Sequence, residues 1–331
     1  MKKYCLFLLM ISACLLMAAG VFAQTDEMTL IGSIDSESPV SRMVWDETGE
    51  WLTMVSRDQY QQFPVGPDKT GQADGGSFDF GTKAYTLTTV GGSGVMAALS
   101  GDWRTIYVYD EPSNPEKAVK TIEPGFMMLS VSVSDDGSMV LADSAEEIRT
   151  VVYNTADGEQ IYDLGGFSTA APVYDSVLSR DGSHVIWHSR GTFAVQDAVT
   201  GNIGETVSLW DFASSYDLAP DNSMLAVGII NDDYESGAVL FFDPQTGAEA
   251  GRTLFGKTGP QELSYNASGS VLMAADRGTL YRIDPQSFEL LGQVTIVPAD
   301  SGDVRISRIA PSPDGTSCAV LLSDGKAFIV K

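Results

Sequence analysis

Histidine is the scarcest chemical resource in this chain of 331 residues, which carries only two. Both lie in one short run, SHVIWHS, as His184 and His188. On a strand, four positions put two side chains on one face but roughly 13 Å apart at about 3.3 Å per residue. A shared zinc needs both nitrogens at about 2.1 Å, so the pair cannot chelate one ion on an unbroken strand. They read as structural or surface histidines. The same scarcity leaves no Ser-His-Asp set that the sequence supports.

Other chemistry is equally thin. There is no dinucleotide fingerprint and no P-loop, and Gly91-Gly92-Ser93-Gly94 reads as a turn. The acidic stretch NDDYESG, Asn231 to Gly237, lengthens a loop but lacks the alternating spacing that turns carboxylates inward on calcium. It reads as a solvated loop. Asn266-Ala267-Ser268 would accept a glycan only in a eukaryotic secretory route, and the leader described below looks bacterial. No metal and no cofactor is expected.

The elements that would position any site are declared by a repeat. FFDPQTG (Phe241 to Gly247) returns as YRIDPQSF (Tyr281 to Phe288). The full series of such marks is Pro67, Asp110, Asn154, Asp197, Asp243, Asp284 and Lys331. A second mark, a turn of the SDDG or SPDG kind, closes on Gly49, Gly94, Gly137, Gly182, Asn222, Gly269 and Gly315. Two independent marks keep one period of about 44 residues. Asp and Asn fold the backbone onto their own side chains, and Gly takes the positive φ such turns require. Between marks lie short β-type runs, four to a unit, such as VSVS, MVLAD, VVYN and QIYDL. No helical period survives over a dozen residues.

Seven such units predict an all-β fold, a seven-bladed β-propeller of four-stranded antiparallel blades filling residues 24–331 as one domain. The last unit ends at Lys331 after its third strand, and a spare strand, TLIGSID (Thr29 to Asp35), precedes the first unit. If that strand completes the last blade, the ring has no open edge.

The SPDG-type turn, the runs Gly191 to Asp197, Gly237 to Asp243 and Gly278 to Asp284, and the D-x-x-T-G turn resemble bacterial WD-repeat-like propellers. They are also similar to the YVTN and quinoprotein-like repeats. Two features depart from those families. The Gly-His and Trp-Asp pairs of the eukaryotic repeat are missing from their positions, and Trp210-Asp211 falls between units. The quinoprotein docking Trp is replaced by Asn-Ile-Gly after Gly201 and Ala-Glu-Ala after Gly247, which argues against a quinone.

The N-terminus reads MKKYCLFLLMISACLLMAAGVFAQ: two lysines, an apolar run and small residues before Gln24. This predicts a signal peptide over residues 1–23 and an exported chain, periplasmic or extracellular, with no membrane span left in the mature part. Ile11-Ser12-Ala13-Cys14 offers an alternative, lipidation at Cys14 and a lipid-anchored envelope protein; an uncut anchor over Tyr4 to Ala23 is the third reading. Cleavage moves the net charge from −24 to about −26, a surface that repels phosphate backbones and anionic headgroups. Nucleic-acid binding is therefore disfavoured, and the charge reads as solubility. Of three cysteines only Cys318 lies outside the leader, so no internal disulfide is expected, and Cys318 reads as a small buried hydrophobe.

What remains for function is surface. In the resembled propellers the loops from fourth to next first strand, and from second to third, share one face. Here they would hold Trp103, Phe126, Phe167, Trp210, Phe212 and Tyr234, the expected binding face. The expectation is a monomeric, non-catalytic binding or scaffold module for a protein or envelope component. The alternative is a lactonase-like or other hydrolase with Asp303, Arg305 and Asp211 at the channel mouth.

Overall fold

A computed structural model describes residues 28–33, 40–56, 59–65, 74–77, 85–110, 118, 120–144, 149–165, 175–189, 191–209, 212–230, 236–255, 259–299 and 301–331. The described strands form seven four-stranded antiparallel sheets, and no helix occurs among the described residues. Numbered along the chain, the innermost strands of blades 1 to 7 are Arg42–Trp45, Tyr85–Val90, Ser130–Val133, Asp175–Leu178, Phe212–Leu218, Glu262–Tyr265 and Ile306–Pro311. Six blades add three consecutive hairpin strands outward.

Blade 7 is the exception, and it closes the molecule. Its outermost strand is Met28–Ser33, antiparallel to the last strand Lys326–Val330, with Thr29 opposite Ile329 and Leu30 opposite Phe328. The strand expected at Thr29 to Asp35 thus completes the last sheet. Pairing the two ends removes the unpaired edge that Lys326–Val330 would otherwise present.

Packing gives a second, independent sign of closure. Each of seven buried apolar clusters is shared by two neighbouring blades, and together they cover all seven interfaces. Trp45, Leu52 and Met54 of blade 1 meet Leu321 and Ile329 of blade 7, and Val55 and Tyr60 of blade 1 meet Val90 and Met96 of blade 2. The others join blades 2 and 3, 3 and 4, 4 and 5, 5 and 6, and 6 and 7. Strands buried on both faces explain the near-continuous apolar runs such as GAVLFF, in which every residue of Gly237–Phe242 is buried.

The turn marks behave as their chemistry demands. All seven close the first hairpin of a blade at positive φ, including Asn222 at 59°. In the other series Gly158, Gly201 and Gly247 also lie at positive φ, but Phe288 occupies that position at 60°. A bulky residue there is strained. Its ring is held 4.9 Å from that of Phe241, over Gly251, where even a Cβ would come within 2.1 Å of the Phe288 ring. The Pro67 mark lies outside the described residues, and the fourth strand of blade 1 is the glycine-rich Asp74–Ser77. Cys318 is 1% exposed, and burial, only partly offset by a backbone bond from Ala310, pushes its thiol up to about 12.

Candidate functional site

The innermost strands surround an axial channel of about 740 Å³. Each runs toward the first hairpin turn of its blade, so the SDDG-type turns form one end of the channel. Ten charged residues line it; four of them, Asp46, Glu47, Asp136 and Asp181, stand on the turns, and the other six, on four inner strands and two turns, are Arg42, Asp135, Arg180, Asp217, Glu262 and Arg308.

Sequence places them by layer. Arg42, Glu262 and Arg308 each stand three residues before the end of their inner strand, on blades 1, 6 and 7, which are neighbours in the ring. Asp217 is one layer deeper, next to last on its strand. Asp135 and Arg180 are the second residues of the turns SDDG and SRDG of blades 3 and 4.

These groups are joined to one another. Arg42 Nη2 donates to Asp135 Oδ1 at 3.3 Å. Arg180 Nε lies 3.9 Å from the other Asp135 oxygen, and its Nη2 lies 3.6 Å from Asp217 Oδ2. The same Nη2 donates to Ser264 Oγ at 3.3 Å and to the Tyr265 carbonyl on blade 6. Asp217 also accepts the Tyr265 backbone N–H at 2.8 Å. Arg308 Nη1 donates to Glu262 Oε1 at 2.8 Å. Blades 1, 3, 4, 5 and 6 are thereby laced across the turn-side end of the channel.

Blade 2 makes room for this lacing. Its turn offers Gly91 and Gly92 where other blades carry side chains. A Cβ on Gly91 would stand 2.2 Å from the Ser134 carbonyl oxygen, so only glycine allows the two turns to approach so closely. Ser93 N then donates to the Asp135 carbonyl, and Asp135 N to that of Arg180, stitching three successive turns together.

Burial raises the Asp217 carboxyl above its ordinary value, although the Arg180 charge and the Tyr265 N–H pull the other way. Burial likewise raises Glu262 against the opposing charge and hydrogen bond of Arg308. Both carboxylates nevertheless keep a quarter of their side-chain surface in contact with solvent, which reaches them along the axis.

Of the six aromatics expected on the loop face, the side chains of Phe126 and Trp103 are described. Phe126 is 2% exposed, sits in the cluster between blades 2 and 3, and carries the Arg149 guanidinium 5.4 Å above its ring. Trp103 is half-buried against the same cluster, at φ 63°. Phe167, Trp210 and Tyr234 lie outside the described residues, as do Asp211, Cys14 and residues 231–235. For Phe212 only the backbone, the start of an inner strand, is described. Asp303 and Arg305 are exposed in the loop before blade 7 and do not line the channel.

His184 Nδ1 shares a hydrogen bond with Ser183 Oγ at 2.7 Å, and His188 stacks on Phe193 at 4.5 Å. Among the described residues no three His, Cys, Asp or Glu side chains are grouped to hold a metal, and no helix is long and apolar enough to cross a membrane.

Fold and channel define the class, a seven-bladed β-propeller with an ion-paired axial channel. Neither a protein-family model nor a curated protein sequence matches the chain.

Proposed function

We propose that this chain is an exported, bacterial WD-repeat-like propeller that binds a protein or envelope component without catalysing its conversion, and that recognition is centred on the axial channel. The observation that carries this reading is the commitment of the channel charges to one another. A general acid or base at Asp217 or Glu262 would have to leave its arginine before it could act. A preformed array of fixed donors and acceptors suits recognition, because little is lost in ordering it. The turns, the repeat period and the residue 1–23 leader support the family and export parts of the reading.

The test is capture from a bacterial envelope extract, with wild type beside Arg308→Gln. Specific retention by the wild type, weakened in the variant, supports the reading. Turnover of a lactone or ester panel with no retained partner would replace it. The raised carboxyls of Asp217 and Glu262 beside arginines favour that second reading, a hydrolase, since acids of shifted pKa gather at catalytic clefts. Export is checked separately: an N-terminus at Gln24 supports cleavage, and acylation at Cys14 would replace it with lipid anchoring.

A further inference from the structure

We propose that residues 24–27 dock between the outer strands of blades 6 and 7, Leu290–Thr295 and Met28–Ser33, with the Asp26 carboxylate on the Arg282 guanidinium.

The neighbouring interfaces show what belongs in that slot. In blades 3 to 6 the turn between third and fourth strands covers the outer strand of the blade before. A Cβ on Gly158 of blade 3 would stand 2.5 Å from the Lys120 side chain of blade 2, and one on Gly204 of blade 4 would stand 2.1 Å from the Pro244 carbonyl oxygen of blade 5. Ala198 of blade 4 is buried in the cluster against which Ile161 of blade 3 packs. Phe288 of blade 6 lies over Gly251 of blade 5, and its carbonyl accepts Thr253 Oγ1 at 2.7 Å. Blade 7 takes its third strand, Lys326–Val330, and its outermost strand, Met28–Ser33, from distant parts of the chain, so no hairpin turn joins them. Gly292 of blade 6 pairs with Arg282 as Gly251 pairs with Phe241. An added Cβ there would meet no described residue beyond its chain neighbours within 4 Å.

The side chains differ in step. The Phe241 ring stands 4.9 Å from that of Phe288. Its counterpart Arg282 shares a sheet face with Gly292, and Arg282 Nε is buried with no hydrogen-bond partner. A buried donor left unpaired is costly, and a carboxylate is the acceptor that fits a guanidinium best.

Register supplies the occupant. Met28 pairs with Val330 as Leu290 does with Ile283 and Glu249 with Phe242. The four residues ahead of these three positions are Gln24-Thr25-Asp26-Glu27, Gln286-Ser287-Phe288-Glu289 and Gln245-Thr246-Gly247-Ala248. Residues 24–27 lie outside the described residues and adjoin Met28 directly. Asp26 therefore stands in the place of Phe288 where Arg282 stands in that of Phe241, an ion pair for an aromatic pair. Cleavage after Ala23, proposed above, would leave this segment whole.

The experiment measures amide hydrogen exchange and urea unfolding of the full chain. Asp26→Asn should speed exchange at Gly292 at least threefold, and Glu27→Gln should leave it unchanged. Asp26→Arg and Arg282→Glu should each raise the unfolding constant about threefold, and the two together should return it to within about twofold of wild type. Should Arg282→Glu fail to fold, the exchange comparison decides alone. Equal exchange at Gly292 in Asp26→Asn and wild type, an equal effect of Glu27→Gln, or no rescue in a folded double variant would overturn the docking. Protection of Gly292 that grows with protein concentration would seat a second copy in the slot and overturn it as well.

Discussion

Asp217, on the inner strand of blade 5, receives the Arg180 guanidinium of the blade 4 turn at 3.6 Å, and Arg180 reaches on to the Tyr265 carbonyl of blade 6. One side chain from a hairpin turn therefore ties three blades together inside the channel. Removing it leaves Asp217 without its nearest guanidinium, while Asp135 keeps that of Arg42. Arg180→Ala should destabilise the chain by about 2 kcal/mol in urea unfolding, less than the roughly 3–5 kcal/mol of a fully buried pair because both partners keep some solvent. The double variant Arg180→Met with Asp217→Leu should lose less than Arg180→Ala, since no lone charge remains. Equal or greater loss in the double variant would count against the lacing.

Stability should respond to pH in two opposed ways. Burial raises Asp217 and Glu262, so their contribution is greatest in acid and is lost as pH rises from the ordinary carboxylate value through the raised one. The turn aspartates behave oppositely. Burial would raise Asp136 and Asp181, but bonds from Ser134 and Ser138, and from Ser179, Ser183 and Asn222, outweigh it and hold both below their usual value. Asp314 is lowered by Ser312 and Thr316. Their contribution is present above 3.8 and lost as pH falls through the depressed values. Urea midpoints across the acid range should fall below that value in the wild type. Asp217→Asn should abolish part of the decline on the rising side and leave the acid limb unchanged.

Cys318 should be inert while the chain is folded. Its thiol, pushed up to about 12 by burial, offers almost no thiolate at pH 8 or so. A chromogenic disulfide reagent should label it only after denaturation, at a rate set by unfolding. Rapid labelling under native conditions would show that the interface of blades 6 and 7 opens.

Two adjacent glycines should differ sharply. An added Cβ at Gly91 meets the Ser134 carbonyl at 2.2 Å, whereas at Gly92 the nearest atom is 3.6 Å away. Gly91→Ala should cost about 2 kcal/mol through displacement of the stitched turns, and Gly92→Ala under about 0.5 kcal/mol. Thermal unfolding of the two variants side by side checks this.

Most of the fold was legible because its marks are local. Asp-x-x-x-Gly and SPDG-type turns are governed by side-chain bonds two or three residues away, and the period carries them round the ring. The closure was legible from a missing strand at one end and a spare at the other. Asp74–Ser77 was not, since a Gly-rich run has no β-type signature and pairs only because its neighbour offers an edge. The channel was missed because its bonds are remote: Arg42 and Asp135 are 93 positions apart. Aligning the seven units would have exposed it, as Arg42, Glu262 and Arg308 fall in one column of the inner strand and Arg180 takes a turn position filled elsewhere by Glu, Gly, Asp, Pro or Ala. Trp103 and Phe126 show the converse. Their loop positions could be read, but Phe126 is 2% exposed because the neighbouring blade comes close enough to cover it.

The ring itself is tested most directly by amide hydrogen exchange at Ala327, Phe328 and Ile329, in the full chain and in one lacking residues 1–33. Pairing of Thr29 with Ile329 and Leu30 with Phe328 requires slow exchange in the full chain, and faster exchange with self-association through the bared strand once residues 28–33 are gone. Equal protection in both chains would mean that the N-terminal strand does not complete the seventh blade.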